Sequence, residues 1–287
     1  MKRAWNYLTF IIVGFLGLFL LAFTVIILIP DKAIESMIRG AMERNASLTF
    51  TGEGFKKMLP FGFEAYHVSI SPLWAKEQKF YFDRIRGSIN PLRIFLGEVR
   101  VALNGNLANG KISSITSFGR KKINTKIKMD VINAALVSPL NAIGLTGTGT
   151  LSGEGMLKIL KNDRCPNGSI SIEGKDIYLK ELKMGYPFLL FGDKVNFSLN
   201  LNLSSDCKST IKGLWIEGKG MAARIYGDVY INNPLLKSTL ALTMEILPGK
   251  GYREKQGLLS FFEKYRKSSN YYMMNIKGSL QSPLLIQ

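Results

Sequence analysis

Four glycines in the stretch GTGTLSGEGML, at 147–157, are the first residues whose type and spacing could perform chemistry. A G-x-G-x-x-G turn between a strand and a helix holds a pyrophosphate, because its backbone N–H groups approach the phosphate oxygens. Here Ser152 replaces the third glycine, and no acidic residue stands at the ribose-binding distance. We therefore predict a strand from Leu145 to Leu157, in which the small residues permit strong twist or close backbone approach.

The residue types that most often carry catalysis form no motif. His67, the single histidine, lies in EAYHVSIS, where alternation places it on the polar side of a strand. No G-x-S-x-G nucleophile motif, H-E-x-x-H zinc motif or Walker loop occurs. The sequence predicts a protein that is not an enzyme and has no catalytic residues, cofactor or metal, although carboxylates paired only in space stay open.

Cys165 and Cys207 are too far apart for a C-x-x-C redox or metal motif. Cys165 precedes a predicted strand and Cys207 follows another, so strands that run up and return would bring both to one end of a sheet. An oxidising compartment would permit a disulfide between them. Two separate thiols are the alternative.

An uncharged run of 22 residues, LTFIIVGFLGLFLLAFTVIILI, extends from Leu8 to Ile29. As a helix it would span roughly 30 Å, the thickness of a bilayer core. A cleaved signal peptide or a buried core helix is the alternative, but the run is long for a signal peptide and no convincing cleavage site follows. Lys2 and Arg3 precede it, which favours a cytoplasmic N-terminus.

We accordingly divide the chain into a cytoplasmic tip with a transmembrane anchor, 1–30, and one periplasmic β-rich domain, 31–287. The composition fits such a domain, since 46% of the 287 residues are hydrophobic and 28 are glycine. The expected location is the inner membrane, with a single span and the bulk of the chain in the periplasm.

Three segments depart from the strand pattern. Apolar residues at helical spacing predict a helix at about 31–45, which either plugs the end of the sheet or lies on the membrane surface. A second amphipathic helix is expected at about 254–268. Residues 132–144 are expected to form a short helix or loop, because Pro139 disfavours a regular strand.

Elsewhere apolar and polar residues alternate with period two, which is typical of half-buried strands. A dozen such segments with short turns predict a large antiparallel sheet. The clearest are VNFSLNLNLS and STLALTMEI. They supply a candidate apolar inner face, formed by Val195, Phe197, Leu199, Leu201, Leu203, Leu240, Leu242 and Met244.

The formal net charge of +17 would suggest nucleic acid for a cytoplasmic domain, but the predicted anchor argues against that partner. The basic residues are dispersed through segments such as GRKKINTKIK rather than gathered in one block. A solvated polar face is the simplest interpretation, and attraction to anionic lipid headgroups or acidic proteins is the functional one.

The phrases PDKAIESMI, GTLSGEGML, IYGDVYINNPLLKSTLALTMEI and IKGSLQSPLLI resemble the type II secretion system protein N (GspN) family, itself similar to AsmA-like periplasmic proteins. Gly278, Leu280 and Pro283 fit a closing G-x-L-x-x-P phrase. The resemblance implies an inner-membrane subunit of a bacterial export machine, with a single transmembrane helix before a large curled antiparallel β-sheet or groove and a few short helices. It supplies no catalytic residue.

Two functions follow as expectations. The first is a non-catalytic scaffold in a type II secretion system, which would bind other secretion subunits through a strand edge or basic face. The alternative is an AsmA-like lipid-binding or lipid-transfer protein, whose curled sheet lines a groove for acyl chains. A face filled by the protein's own side chains favours the scaffold, and an open apolar face favours lipid.

Overall fold

One antiparallel sheet contains all the strands of this protein that the structure describes, and from the first strand to the twelfth each pairs with its neighbours along the chain. The structure is a computed structural model. It describes residues 24, 28–46, 48–59, 61–72, 79–91, 93, 96–137, 148–161, 163, 165–178, 194–232, 237–249 and 260–286.

A helix, α1 (Asp31–Ala46), precedes the sheet. The strands are β1 (Leu48–Met58), β2 (Gly62–Pro72), β3 (Phe80–Asn90), β4 (Val99–Leu107), β5 (Gly110–Phe118), β6 (Lys122–Asn133), β7 (Thr150–Leu160), β8 (Asn167–Tyr178), β9 (Lys194–Leu203), β10 (Lys208–Gly218), β11 (Met221–Tyr230), β12 (Thr239–Pro248), β13 (Arg266–Ser268), β14 (Tyr271–Ser279) and β15 (Pro283–Ile286). Two short 3₁₀ helices, η1 (Ala134–Leu136) and η2 (Ser260–Tyr265), complete the described elements.

The spatial order of the strands follows the sequence from β1 to β12 and then continues to β14 and β13, with β15 also beside β14. Most connections are short turns, as the alternating pattern and closely spaced turn residues predict, while longer segments join β6 to β7, β8 to β9 and β12 to β13. The prediction of a mainly β protein with one large antiparallel sheet and few helices is confirmed.

Helix α1 extends from one end of the strands to the other. We call the end that carries the turns after β1, β3, β5, β7, β9 and β11 the near end, and the opposite end the far end. Lys57, the penultimate residue of β1, donates from Nζ to the Ile29 carbonyl oxygen at 2.8 Å, and its backbone N–H donates to Asp31 Oδ1 at 3.3 Å. Helix α1 therefore begins at the near end and runs beside β1 to the far end, where β1 starts.

Three clusters of buried side chains form the core, and most of their members lie in the far half of the strands. Met42 of α1 packs on the first, around Phe50 and Val68. Val137, after η1, belongs to the second, and Tyr265 of η2 to the third. The short helices thus cover the far half of the sheet.

Several predicted boundaries differ from the structure. The strand expected from Leu145 begins at Thr150, and 138–147 lie outside the described residues. Of the helix predicted at about 254–268, the described part forms the 3₁₀ helix η2 at 260–265 and the strand β13 at 266–268. Pairing with β14 explains the change, because Arg266 lies opposite Tyr272 in the sheet.

No helix among the described residues is long and apolar enough to cross a bilayer. The anchor expected at 8–29 falls almost entirely outside the described residues, which include only 24, 28 and 29 of it.

Candidate functional site: the apolar face

One face of the sheet is apolar across twelve consecutive strands. Cross-strand partners share a face, so the register defines rows that run perpendicular to the strands. The row through the middle of the sheet, which we call the central row, contains one polar residue, Ser114. Its members are Phe63, Gly87, Leu103, Ser114, Ile127, Gly155, Ile170, Leu201, Ile211, Gly227, Leu242 and Ile276.

The large side chains of the central row are not buried. Leu103 is 38% exposed, and the isoleucine, leucine and phenylalanine side chains of the other strands are half-buried. Eleven strand spacings of about 4.8 Å give the row a path of roughly 50 Å. A continuous apolar surface of this extent is typical of a binding groove or an interface rather than of a freely solvated surface.

The opposite face is polar, because each residue beside the central row points the other way. The adjacent row reads Ser113, Lys128, Glu154, Ser171 and Asn200. Lysine, glutamate, serine and asparagine suit contact with water. The sheet thus has an inner apolar face and a mainly polar outer face, which also exposes Met156 and Trp215.

The inner-face residues named from the sequence all lie on this apolar face. Val195 and Leu240 are buried, at 3% and 6% exposure. The other six, Phe197, Leu199, Leu201, Leu203, Leu242 and Met244, are half-buried. The residues of this set on β9 and those on β12 share the face but are not cross-strand partners, because β10 and β11 lie between these two strands.

Glycines keep parts of the apolar face shallow. The ring of Phe63 lies over Gly87 and the ring of Phe197 over Gly174, each pair being direct cross-strand partners. A Cβ atom at either glycine would collide with the ring. These phenylalanine side chains therefore lie along the sheet instead of standing upright from it.

The far half of the apolar face is filled by the protein itself. Tyr265 of η2 is 2% exposed, and its hydroxyl donates to the Leu285 carbonyl oxygen at 3.1 Å. Around it pack Ile246, Tyr272 and Met274, each at most 3% exposed. Burial therefore falls from the far end toward the central row.

Some charged residues of the outer face form local networks. Glu64 accepts hydrogen bonds from the guanidinium groups of Arg84 and Arg86, the latter at 2.8 Å. The hydrogen bond from Arg84, which has the larger effect, and the one from Arg86 lower the pKa of the Glu64 carboxyl from 4.5 to about 2. The Arg224 guanidinium lies 4.8 Å from the ring centroids of both Trp215 and Tyr226. Both networks link neighbouring strands and were not anticipated from the sequence.

The other candidate residues do not converge on a site. His67 is exposed at an irregularity of β2, with Nδ1 3.8 Å from a Glu53 carboxylate oxygen. Gly153 and Gly155 lie within β7, where they pair with β6 and β8. In the described part of the chain, no three His, Cys, Asp or Glu side chains are grouped as a metal site would require.

Cys165 and Cys207 form a disulfide, with sulfurs 2.05 Å apart and Cα atoms 5.0 Å apart. The bond joins the turn after β7 to the turn after β9 at the near end. It thus links the β7–β8 connection to the β9–β10 turn, whose strands β8 and β9 are neighbours in the sheet.

These features define a class of protein: a single antiparallel sheet with one continuous apolar face, closed at its far end and half-exposed along its middle. Comparisons with protein-family models, with curated proteins and with solved structures found no match to this chain.

Proposed function

We propose that this protein binds lipid acyl chains along its apolar face, as an AsmA-like lipid-binding or lipid-transfer protein. The central row is the observation that carries the proposal, because it offers an apolar path across twelve strands whose large side chains are only half-buried. A closed core of the same size would bury these side chains.

The dimensions and chemistry of the face suit an acyl chain. One extended chain spans about half of a ~30 Å hydrocarbon core, which is shorter than the roughly 50 Å central row. Each buried methylene contributes about 0.8 kcal/mol, and the half-buried leucines and isoleucines would lose further contact with water. The polar outer face would stay solvated, so binding leaves no charge buried.

We place the protein in the inner membrane, with a single span and the sheet in the periplasm. The uncharged run 8–29 and the preceding Lys2 and Arg3 support this placement. The disulfide suits an oxidising compartment. A reporter fused after Gln287 should behave as periplasmic, and cytoplasmic behaviour would contradict the placement.

A second candidate is an accessory scaffold of a type II secretion system, which would bind other secretion subunits. The observation that favours it is β15, a short strand at the margin of the sheet whose residues are all exposed, including Leu284 at 61%. An extended segment of a partner could pair with such an edge. Leu284→Asp, at this exposed edge, should then reduce secretion without altering bound lipid.

The test of the lipid proposal is mass spectrometry of lipids that copurify with the full chain. Phospholipid should accompany the wild type. It should be reduced in Leu201→Asp, which places a charge in the central row. Asn202→Asp provides the matched control, because it adds the same charge one residue along β9 on the outer face. Absence of lipid from the wild type would contradict the proposal.

A further inference from the structure

Five basic residues cluster at the near end of strands β5–β8. Arg120, Lys121 and Lys122 form the turn into β6, and Lys158 and Lys161 lie at the end of β7. All five side chains are exposed. The backbone N–H of Lys161 donates to the Lys121 carbonyl oxygen at 3.0 Å, which holds the two turns together.

These cations are not neutralised within the described part of the chain. None of the five forms an ion pair there. Asp163 is the acidic residue in the described portion of the same two turns, and its carboxylate accepts the Leu160 N–H at 3.1 Å. The cluster therefore presents a net positive charge to whatever lies beyond the near end.

The outermost row of the apolar face lies directly beside this cluster. Val99, Phe118, Ile123 and Ile159 are successive cross-strand partners on β4–β7. Three of them are exposed: Phe118 at 44%, Ile159 at 39% and Val99 at 38%. Basic turns and exposed apolar side chains thus share one edge, which we call the near rim.

The near rim is also at the end of the sheet where Ile29, the last residue of the uncharged run, contacts β1. The Ile29 carbonyl accepts a hydrogen bond from Lys57 Nζ at the near end of β1. The residues before Ile29 are the uncharged run that begins at Leu8. A bilayer that held this run would therefore lie toward the near end.

We propose that the near rim rests on the surface of a bilayer that contains anionic lipid; passage of acyl chains across this rim to the apolar face rests in addition on the proposed function. A bilayer surface matches both features of the rim, because phosphate headgroups attract lysine and arginine while the interface accepts phenylalanine and isoleucine. An acidic protein would satisfy the charges but would not require the exposed apolar row. Membrane contact by the rim does not depend on acyl binding, so each can fail without the other.

The test is hydrogen exchange on the full chain in lipid nanodiscs. Discs of phosphatidylcholine alone are compared with discs that contain about 30% phosphatidylglycerol. The segments 118–122 and 158–161 should exchange more slowly in the anionic discs. About 0.5 M NaCl should remove this difference, since it screens the headgroup charge.

Two triple variants that each remove three positive charges distinguish an effect of the rim from an effect of the total charge. Arg120→Gln with Lys121→Gln and Lys122→Gln should abolish the lipid-dependent difference. Lys175→Gln with Lys212→Gln and Lys219→Gln removes the same charge from exposed positions away from the rim, and should retain it. Equal exchange of the wild-type rim in both kinds of disc would overturn the proposal, as would equal loss in both variants. Copurified lipid, measured separately, reports on the acyl-binding face.

Discussion

Substitution of Leu201 by aspartate distinguishes an open apolar face from a closed core. Leu201 is half-buried in the central row, between Ile170 and Ile211. A fully buried leucine contributes about 1.5–3 kcal/mol, so a half-buried one contributes about half of that. The aspartate could remain in contact with water, which avoids most of the desolvation cost. We expect Leu201→Asp to lower the free energy of unfolding by about 1–2 kcal/mol.

Ile246 provides the comparison, since it lies on the same face in the closed far half and is 1% exposed. Ile246→Asp would bury an unpaired charge between Ala223 and Tyr272, and should cost more than about 4 kcal/mol. Denaturant unfolding of both variants and the wild type measures the two costs. Similar large losses in both would show that the middle of the face is core and would refute the open-face interpretation.

Three further predictions concern parts of the sheet outside the central row. Thiol labelling of the unreduced, denatured chain should find neither Cys165 nor Cys207 free, and removing both should cost about 2–4 kcal/mol; free thiols in the untreated protein would contradict the bond. Because the folded-state pKa of Glu64 is lowered to about 2 from 4.5, its stabilising effect should be complete above about pH 5 and decline as the pH falls toward 2. The stability difference between wild type and Glu64→Gln should therefore shrink over that interval, and a constant difference would exclude the ion-pair explanation. Gly174→Ala should destabilise by about 1–3 kcal/mol because a phenylalanine ring occupies the space of the new methyl group, whereas Gly155→Ala meets its neighbours at ordinary contact distances; equal effects in thermal unfolding would contradict this.

Alternation within single strands was sufficient to predict much of the fold. VNFSLNLNLS, for example, became β9 with its apolar residues on one face. Short turns also made an antiparallel sheet the expected arrangement, because parallel neighbours need long crossovers. The position of the inner-face residues Leu199 to Leu203 followed from the same period of two.

The continuity of the apolar face could not be predicted, because it depends on register between strands. Irregularities occur in the pairing of β6 with β7, after Met129, and of β8 with β9, after Gly174. Each such irregularity changes which residues lie opposite one another. The helix expected at about 254–268 ends earlier than predicted for a related reason: periodicity did not show that Arg266 would pair with β14. The ion pairs of Glu64 likewise join residues that only the register brings together.

Site-specific photocross-linking tests the proposed acyl-binding face most directly. A photoreactive amino acid is placed in the full chain at Leu199, on the apolar face, and separately at Asn200, on the outer face of the same strand. The proposal predicts phospholipid adducts at 199 and few or none at 200, read by mass spectrometry of the digested protein. Absence of lipid adducts at both positions, or equal labelling of both, would contradict binding of acyl chains along the apolar face.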